Sequence, residues 1–321
     1  MSTVLVFDAG KTGCRMGLWV DGDRVGHGEA PGASGIADPG GVDQALSRMA
    51  QATDASGSSH PCPGRPVDTV VAGLAGLLSA AEHAPLLRAG LAARYPGAEV
   101  IVTSDAITSH AGALSGQAGV VLAAGTGVSV LAVTADGTYS LVDGWGYLLG
   151  DAGSGYAIGR AGLDEALRQA DGRGGSPVLL DRTVARWGDP RRVPRTVHAS
   201  ENPARVVASF ARDVFAAARS GDDASQKICD EAARELALSV AAAVRIAHLD
   251  PPVQLATTGG LLNAGPVLTD PLDRHLDQML PGISRRPADG DALSGGYLIA
   301  ADPDLPHRRM LSCGHDEGDV R

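Results

Sequence analysis

The sequence has little positive charge, few aromatic residues and no long apolar run. Its 27 Lys and Arg residues are outnumbered by 37 Asp and Glu residues, and the formal net charge is −10. Because no basic stripe is present, nucleic acids and anionic membranes are poor partners. No segment reaches the ~18 apolar residues that a membrane span needs, and the first residues lack the basic start of a secretory signal. We therefore expect a cytoplasmic protein.

Cysteine is also scarce. The four cysteines stand far apart and form no Cys-x-x-Cys pair: Cys14, Cys62, Cys229 and Cys313. This pattern argues against zinc ribbons, iron–sulfur clusters and a disulfide framework, and isolated thiols suit a reducing compartment. His110, His248 and the tail segment 313–317 carry metal-capable atoms but lack the paired spacing of metal ligands.

The length and composition instead favour two well-packed lobes. The chain has 321 residues, of which 44% are hydrophobic, and 43 are glycines. A chain of this size comfortably forms two cores, with a cleft between them as the natural ligand site. We predict an N-terminal lobe over 1–109, a C-terminal lobe over 110–301 with a helical insertion at about 156–248, and a flexible acidic tail over 302–321.

Two parts of the chain follow the same order of elements. Strand-like apolar runs at 3–8, 14–20 and 24–29 precede an alternation of helix and strand, and a second set of three strands begins at Gly119. The sequence thus predicts an α/β fold with a duplicated βββαβα core, whose halves face each other across the cleft. Later apolar patterns predict single helices over 80–95 and 203–219.

A Gly-rich turn, Asp8-Ala9-Gly10-Lys11-Thr12-Gly13, lies between the first two strands. It is not a Walker A loop, because Leu5 stands where that motif has its first Gly and a strand follows. A tight hairpin of this composition can point N–H groups at a phosphate, while Asp8 orients Mg²⁺ or its waters and Lys11 adds a point charge. The alternative is an ordinary turn with a solvated Asp.

A second Gly-rich hairpin, Gly125-Thr126-Gly127, follows a buried strand at the equivalent place in the second half. One such tripeptide is a weak signal. Two of them at matching positions are stronger, since facing loops can hold one triphosphate from both sides.

Asp105 follows Ser104 at the end of a strand and opens a helix. A carboxylate at this position can act as a helix cap. It can also take the proton of a sugar hydroxyl during phosphoryl transfer, and the two roles can coexist.

Two further Gly-rich segments carry candidate binding residues. In segment 143–155, Trp145 offers an apolar face for a pyranose ring and Asp151 can accept hydrogen bonds from sugar hydroxyls; the alternative is a rigid turn before a helix. In segment 257–263, the Gly259-Gly260 pair allows close approach of adenosine; the alternative is a turn with Asn263 as a helix cap.

Taken in order, the segments FDAGKTG, SDA, AAGTG, DGWGYLLGDAGSGYAIG and TTGG resemble the BadF-type ATPase and N-acetylglucosamine kinase family over about residues 3–301. The central block is the most distinctive of the five. The two Gly-rich hairpins are shared by the whole actin-like superfamily.

The resemblance implies a bilobal actin-like fold that uses ATP and Mg²⁺ to phosphorylate the 6-hydroxyl of an amino sugar, most readily N-acetylglucosamine. It implies Asp105 as the catalytic base that also touches the sugar, and Asp8 as the residue that binds Mg²⁺ through water. The implied nucleotide-binding residues are Asp8, Gly10, Lys11, Thr12, Gly125, Thr126, Gly127, Gly259 and Gly260. The implied sugar-binding residues are Ser34, Asp105, Trp145, Gly146 and Asp151.

The chain departs from the family pattern at three positions. Lys11 stands where the family usually has Gly, Ala152 replaces a Glu, and Ser34 replaces an Asn that contacts the sugar. These departures concern the choice of sugar, so a glucosamine or glucose kinase is an alternative. An ATPase activator of a radical enzyme and a sugar sensor without turnover are further alternatives. The expected partners are a small sugar and ATP, and a homodimer is compatible with these features.

Overall fold

The computed structural model describes residues 2–56 and 65–310. The chain divides into two compact units. The first comprises Met1–Ala118, Val133–Tyr139 and Ala288–Arg321, and the second comprises Gly119–Ala132 and Ser140–Pro287.

The first unit is built on a five-stranded sheet. Its elements in chain order are β1 (Thr3–Ala9), β2 (Gly13–Val20), β3 (Asp23–Pro31), α1 (Gly41–Ala55), β4 (Thr69–Leu74), α2 (Ala84–Arg94), β5 (Glu99–Ser104) and α3 (Asp105–Ala113). The strand order is β3-β2-β1-β4-β5, with β1 antiparallel to β2 and parallel to β4. Central β1 is apolar on both faces because it is covered on both: Val6 and Phe7 point to opposite faces and are fully buried.

The second unit repeats this topology. It contains β6 (Gly119–Ala124), β7 (Val128–Val133), β8 (Tyr139–Asp143), α4 (Gly155–Ala170), α5 (Pro177–Trp187), α6 (Val193–His198), α7 (Pro203–Ser209), α8 (Ala211–Arg219), α9 (Asp223–Ile246), β9 (Val253–Thr258), α10 (Pro266–Met279) and β10 (Ile283–Pro287). Its strand order is β10-β9-β6-β7-β8, the same order as in the first sheet read from the other edge. The predicted duplicated α/β fold is confirmed.

Two C-terminal helices complete the first unit: α11 (Ala292–Ala301) and α12 (Pro306–Met310). Helix α11 packs tightly on α3, since a Cβ on Gly295 would lie 1.9 Å from the carbonyl oxygen of Thr108. His307 of α12 is fully buried and its Nε2 lies 2.9 Å from Nδ1 of His110 on α3.

The structure differs from the predicted domain limits in three ways. Helix α11 lies within the predicted C-terminal lobe of 110–301 but belongs to the first unit, which the chain rejoins at Ala288. The division falls after Ala118 instead of after residue 109, because α3 belongs to the first sheet that it follows directly. The predicted tail begins at 302, yet 302–310 includes helix α12 with buried Met310. The remainder of that tail lies outside the described residues. So does most of the Ser-, Gly- and Pro-rich stretch 54–66, which predicts an exposed connector, since residues 57–64 are not described.

Several element limits also differ from the predictions. Residues 80–95 are not one helix: two 3₁₀ turns, Leu77–Ser79 and Ala81–His83, precede α2, whose first turn contains a proline. The predicted helix over 203–219 is divided at Phe210, whose N–H donates to the carbonyl of Val207 in a 3₁₀-type bond. The short elements α6 and β10 were not predicted, because neither is long enough to show a repeating pattern of apolar residues.

Candidate active site

The first Gly-rich loop turns tightly between β1 and β2. The N–H of Gly10 donates to the carbonyl of Gly13 at 2.9 Å, and Gly32 packs so closely beneath it that a Cβ there would lie 2.3 Å from the carbonyl oxygen of Lys11. Lys11 and Thr12 are exposed at the tip of this turn. The loop thus presents backbone and a cationic side chain outward, as a phosphate-binding turn requires.

Asp8 at the end of β1 is paired with Arg15 of β2. Arg15 donates to the same carboxylate oxygen from Nη2 at 2.6 Å and from Nε at 3.1 Å, and its Nη1 donates to Asp291 at 3.0 Å. This arrangement leaves Oδ1 of Asp8 without a hydrogen bond from the described residues. The sequence did not indicate Arg15, although its place opposite Asp8 in the antiparallel register is where a partner would stand.

Asp105 is the first residue of α3, and the helix cap is its neighbour. The Oγ of Ser104 accepts a hydrogen bond from the N–H of Ala106 at 3.2 Å and donates to Oδ1 of Asp105 at 3.1 Å. The same N–H donates to Oδ1 at 2.8 Å. These bonds fix the carboxyl group by one oxygen and leave the other for a ligand.

Burial raises the pKa of Asp105, and the negative charge of Asp8 raises it further, against the hydrogen bond from Ser104 that lowers it. A carboxylate with a raised pKa is a stronger base than an ordinary aspartate. The charge of Asp8 therefore acts on Asp105, while the catalytic and metal-binding roles of the two residues stay predictions. Ser34 follows Ala33, whose N–H donates to the carbonyl of Gly10 at 3.2 Å, so it lies beside the first loop.

The second Gly-rich loop is joined to the start of α4. The N–H of Gly125 donates to the carbonyl of Gly127 at 2.9 Å, while the N–H groups of Gly155 and Tyr156 donate to the carbonyls of Gly125 and Thr126 at 2.8 and 3.1 Å. A Cβ on Gly155 would lie 2.8 Å from the carbonyl oxygen of Gly125, so a glycine is needed for this approach.

Asp151 supports this loop from behind. It is 7% exposed, and its Oδ1 accepts a hydrogen bond from the N–H of Val128 at 3.1 Å. A Cβ on Gly127 would lie 2.7 Å from Oδ2 of Asp151. Burial raises the pKa of Asp151, and the charge of Asp143 adds to the effect. Its contact with sugar hydroxyls stays a prediction, and the loop contact is a role that the sequence did not indicate.

Asp143 closes the segment that contains Trp145. Its two oxygens accept hydrogen bonds from the N–H groups of Asp151 at 2.8 Å and Ala152 at 3.2 Å. Within the closed segment, Gly146 has a positive φ of 80° and Trp145 is 76% exposed. An aromatic side chain this exposed leaves most of its surface open to a ligand.

The Gly259-Gly260 turn lies against the end of β6. Gly259 has φ of +85°, and a Cβ there would lie 2.3 Å from the carbonyl oxygen of Ala124, one residue before the second loop. Gly260 is open, with only the side-chain amide nitrogen of Asn263 within reach at 3.9 Å. The structure therefore places the two predicted nucleotide segments of the second unit side by side.

A cavity of about 640 Å³ lies between these two segments and the helices α7 and α8. Its lining includes Gly125, Thr126, Gly155, Gly260, Asn263 and three arginines: Arg205, Arg212 and Arg219. The arginines were missed in the sequence because they are scattered in a helical region. Their even spacing of seven residues, close to two helical turns, is the signal that could have revealed them.

The metal-binding capacity of the site is small. Among residues 2–56 and 65–310, no group of three or more His, Cys, Asp or Glu side chains could hold a metal ion. Mg²⁺ commonly binds one or two carboxylates and completes its shell with water and substrate phosphates, so the open oxygen of Asp8 fits such an ion. In the described part of the chain, no helix is long and apolar enough to cross a membrane.

Comparisons with known proteins show which family the chain is similar to. The model of the BadF/BadG/BcrA/BcrD ATPase family matches residues 8–295. The chain is 31% identical over 205 residues to the N-acetylmuramic acid/N-acetylglucosamine kinase of Clostridium acetobutylicum, covering 63% of this chain and 67% of the relative. It is 28% identical over 205 residues to the N-acetyl-D-glucosamine kinase of Dictyostelium discoideum, covering 62% and 64% of the two chains.

A solved structure is similar over almost the whole chain. The crystal structure of a proposed N-acetylglucosamine kinase from Chromobacterium violaceum superposes with a TM-score of 0.72 at 25% identity, covering 94% of this chain and 99% of that one. The aligned part of the chain spans about two thirds of each of the two curated relatives, whereas the fold match is nearly complete.

Proposed function

The chain belongs to the BadF/BadG/BcrA/BcrD ATPase family, and on that premise we propose that it is an ATP-dependent kinase of amino sugars. The transferred group is the γ-phosphoryl of ATP and the acceptor is the sugar 6-hydroxyl. We propose N-acetylglucosamine as the acceptor, because both curated relatives are named as kinases of this sugar.

This proposal rests on the position of the Asp105 carboxylate at the start of α3. Its Oδ1 accepts hydrogen bonds from Ser104 and from the N–H of Ala106. These two bonds fix the orientation of the carboxylate and therefore the direction of its second oxygen. The raised pKa makes this carboxylate a better acceptor of the hydroxyl proton as the oxygen attacks phosphorus. We assign Asp105 as the general base and as a ligand of the acceptor hydroxyl.

The donor is held by backbone and by a few side chains. The first loop, with Asp8, Gly10, Lys11 and Thr12, and the second loop, with Gly125, Thr126 and Gly127, are the proposed phosphate-binding loops. Gly259 and Gly260 form the proposed adenosine turn, because close approach of a nucleoside needs glycine there. Mg²⁺, held through water by Asp8, would neutralise charge on the transferred phosphoryl group.

The acceptor side consists of Trp145, Gly146, Asp151 and Ser34 in this proposal. The exposed ring of Trp145 offers an apolar face to the pyranose. Ser34 is shorter than Asn and Ala152 lacks a carboxylate, so the acceptor contacts differ from the family pattern. We therefore expect Ser34 and Ala152 to influence which sugar is preferred among N-acetylglucosamine, glucosamine and glucose.

The two buried cysteines argue against the alternative function, an ATPase activator of a radical enzyme. Cys14 and Cys229 are buried, and burial raises the pKa of both thiols to about 12. A thiol of this kind is a poor ligand for an iron–sulfur cluster, which needs the thiolate. This argument concerns the two cysteines in the part of the chain that the structure describes.

A sugar panel assayed with Mg·ATP tests the proposal. ADP release and the mass increase of one phosphoryl group on the sugar are measured with N-acetylglucosamine, N-acetylmuramic acid, glucosamine and glucose. The proposal predicts phosphorylation of N-acetylglucosamine with the highest kcat/KM. ADP release that is independent of every sugar would favour an ATPase instead.

A further inference from the structure

The wall of the cavity formed by α7 and α8 has an unusual charge. The chain carries a net charge of −10, yet the described residues that line this cavity include three arginines and neither Asp nor Glu. A larger cavity in the same unit, of about 1010 Å³, is lined by five acidic residues and one lysine. The positive lining is therefore a local property of the cavity beside the two Gly-rich turns.

Among the described residues, two of the three guanidinium groups have no protein partner. Arg219 donates from Nη2 to the carbonyl of Ala264 at 2.7 Å, which ties α8 to the turn after Gly260. Arg205 and Arg212 are exposed, and in the described chain neither side chain makes a hydrogen bond or an ion pair. Two unpaired cations at one cavity repel each other unless an anion lies between or beside them.

The spacing of these residues matches an extended anion. Arg205 and Arg212 are seven residues apart along nearly continuous helix, which corresponds to about 10 Å of rise on the same side. A guanidinium group is planar and presents two parallel N–H donors that match the oxygens of a phosphate. The same cavity is lined by Gly125 and Thr126, which belong to the proposed phosphate loop.

We propose that Arg205 and Arg212 bind the phosphate chain of the donor nucleotide and supply the positive charge that the rest of this acidic protein lacks. The assignment rests on the proposed function, because it takes the cavity as the donor site. Arg219 shapes the same wall through its bond to Ala264 and contributes less charge to the ligand. The adenosine end of the donor then lies toward Gly260 and Asn263 and depends little on the two arginines.

Binding of donor fragments separates this assignment from a role in holding the base. The affinities of tripolyphosphate, adenosine and ATP are measured by calorimetry for the full chain and for the double variant Arg205→Gln/Arg212→Gln. The matched control is Arg191→Gln/Arg195→Gln, which removes two exposed arginines of the same unit that line neither cavity. Both variants change the net charge equally.

We expect the Kd of tripolyphosphate to rise at least about tenfold in the Arg205/Arg212 variant, while the Kd of adenosine changes less than about twofold. The control should bind all three probes as the wild type does. An unchanged Kd for tripolyphosphate, or an equal loss for adenosine, would overturn the assignment. If the wild-type chain bound neither ATP nor adenosine, the proposed function would fail as well, whereas intact sugar phosphorylation with an unchanged tripolyphosphate Kd refutes the arginine assignment alone.

Discussion

Arg15 donates two hydrogen bonds to one oxygen of Asp8, at 2.6 and 3.1 Å, and so places a positive charge against the carboxylate that raises the pKa of Asp105. The charge of Asp8, the candidate Mg²⁺-binding residue, thus acts on the proposed base, and Arg15 is the cation that pairs with Asp8. Because the second oxygen of Asp8 stays open, the pair is compatible with a role of Asp8 at the phosphates.

Arg15→Gln should shift the pH dependence of catalysis. Without the guanidinium group, the full charge of Asp8 acts on Asp105 and raises its pKa further. A base is active only when it is deprotonated, so the acidic limb of kcat/KM for the sugar should move to higher pH. The control Arg94→Gln removes an equal charge from the exposed pair with Asp54. A profile that moves equally in both variants would contradict the linkage.

Gly259→Ala and Gly260→Ala form a matched pair. The first places a Cβ 2.3 Å from the carbonyl of Ala124 in a left-handed backbone conformation, whereas the second meets open space at a φ of −91°. We expect Gly259→Ala to lower the free energy of unfolding by about 1–3 kcal/mol and to weaken ATP binding. Gly260→Ala should change stability by less than about 0.5 kcal/mol. Urea denaturation and the KM for ATP measure both effects; equal stability of the two variants would refute the close approach at Gly259.

Trp145→Ala tests the acceptor side. Since the ring is 76% exposed, its loss should change the free energy of unfolding by less than about 0.5 kcal/mol. The KM for the sugar should rise roughly tenfold if the ring meets the pyranose, with the KM for ATP unchanged. Leu149→Ala, which removes another exposed apolar side chain from the same segment, is the control. An equal rise in both variants would indicate a change in the segment as a whole.

His307→Gln should remove part of the acid sensitivity of folding. Burial, together with a smaller effect of the charge of His110, lowers the pKa of His307 from 6.5 to about 3. Because the folded-state pKa is depressed, the stability that neutral His307 contributes is present above pH 6.5 and is lost as the pH falls toward 3. Gln keeps a hydrogen-bonding group near His110 without titrating. The difference in unfolding free energy between the two proteins should therefore change across this window, and a constant difference would exclude His307 as its source.

Local signals in the sequence predicted the elements that depend on interactions between residues close together in the chain. The strands β1 and β2 are apolar segments between clear turn residues, and their predicted limits, 3–8 and 14–20, agree with the structure within a residue. The duplicated order of elements was visible for the same reason. Helix α12 was not predicted, because five residues are too few to show a repeating hydrophobic pattern. In addition, His307 is buried by packing on α3, which is distant in the sequence.

The candidate site was predictable as a set of loops and not as a set of contacts. The glycines marked both hairpins and the 259–260 turn. Asp143 and Asp151 adopt positive φ angles of 63° and 59°, which are uncommon outside glycine, so their role in closing the Trp145 segment had no local signal. Arg15 and Arg212 could not be assigned because their meaning depends on which strand or cavity they face.

Phosphoryl transfer by Asp105→Asn tests the central claim most directly. Asn keeps the oxygen that accepts from Ala106 but cannot take a proton, so kcat should fall by about 10²–10⁴-fold while the sugar still binds. Removal of a partly buried carboxylate with a raised pKa should also leave the variant at least as stable as the wild type at pH 7. The assay follows transfer of labelled γ-phosphate from ATP to N-acetylglucosamine, with sugar affinity and urea denaturation measured on the same samples. Loss of transfer with retained sugar binding and folding is the predicted result, and full transfer by Asp105→Asn would contradict the account.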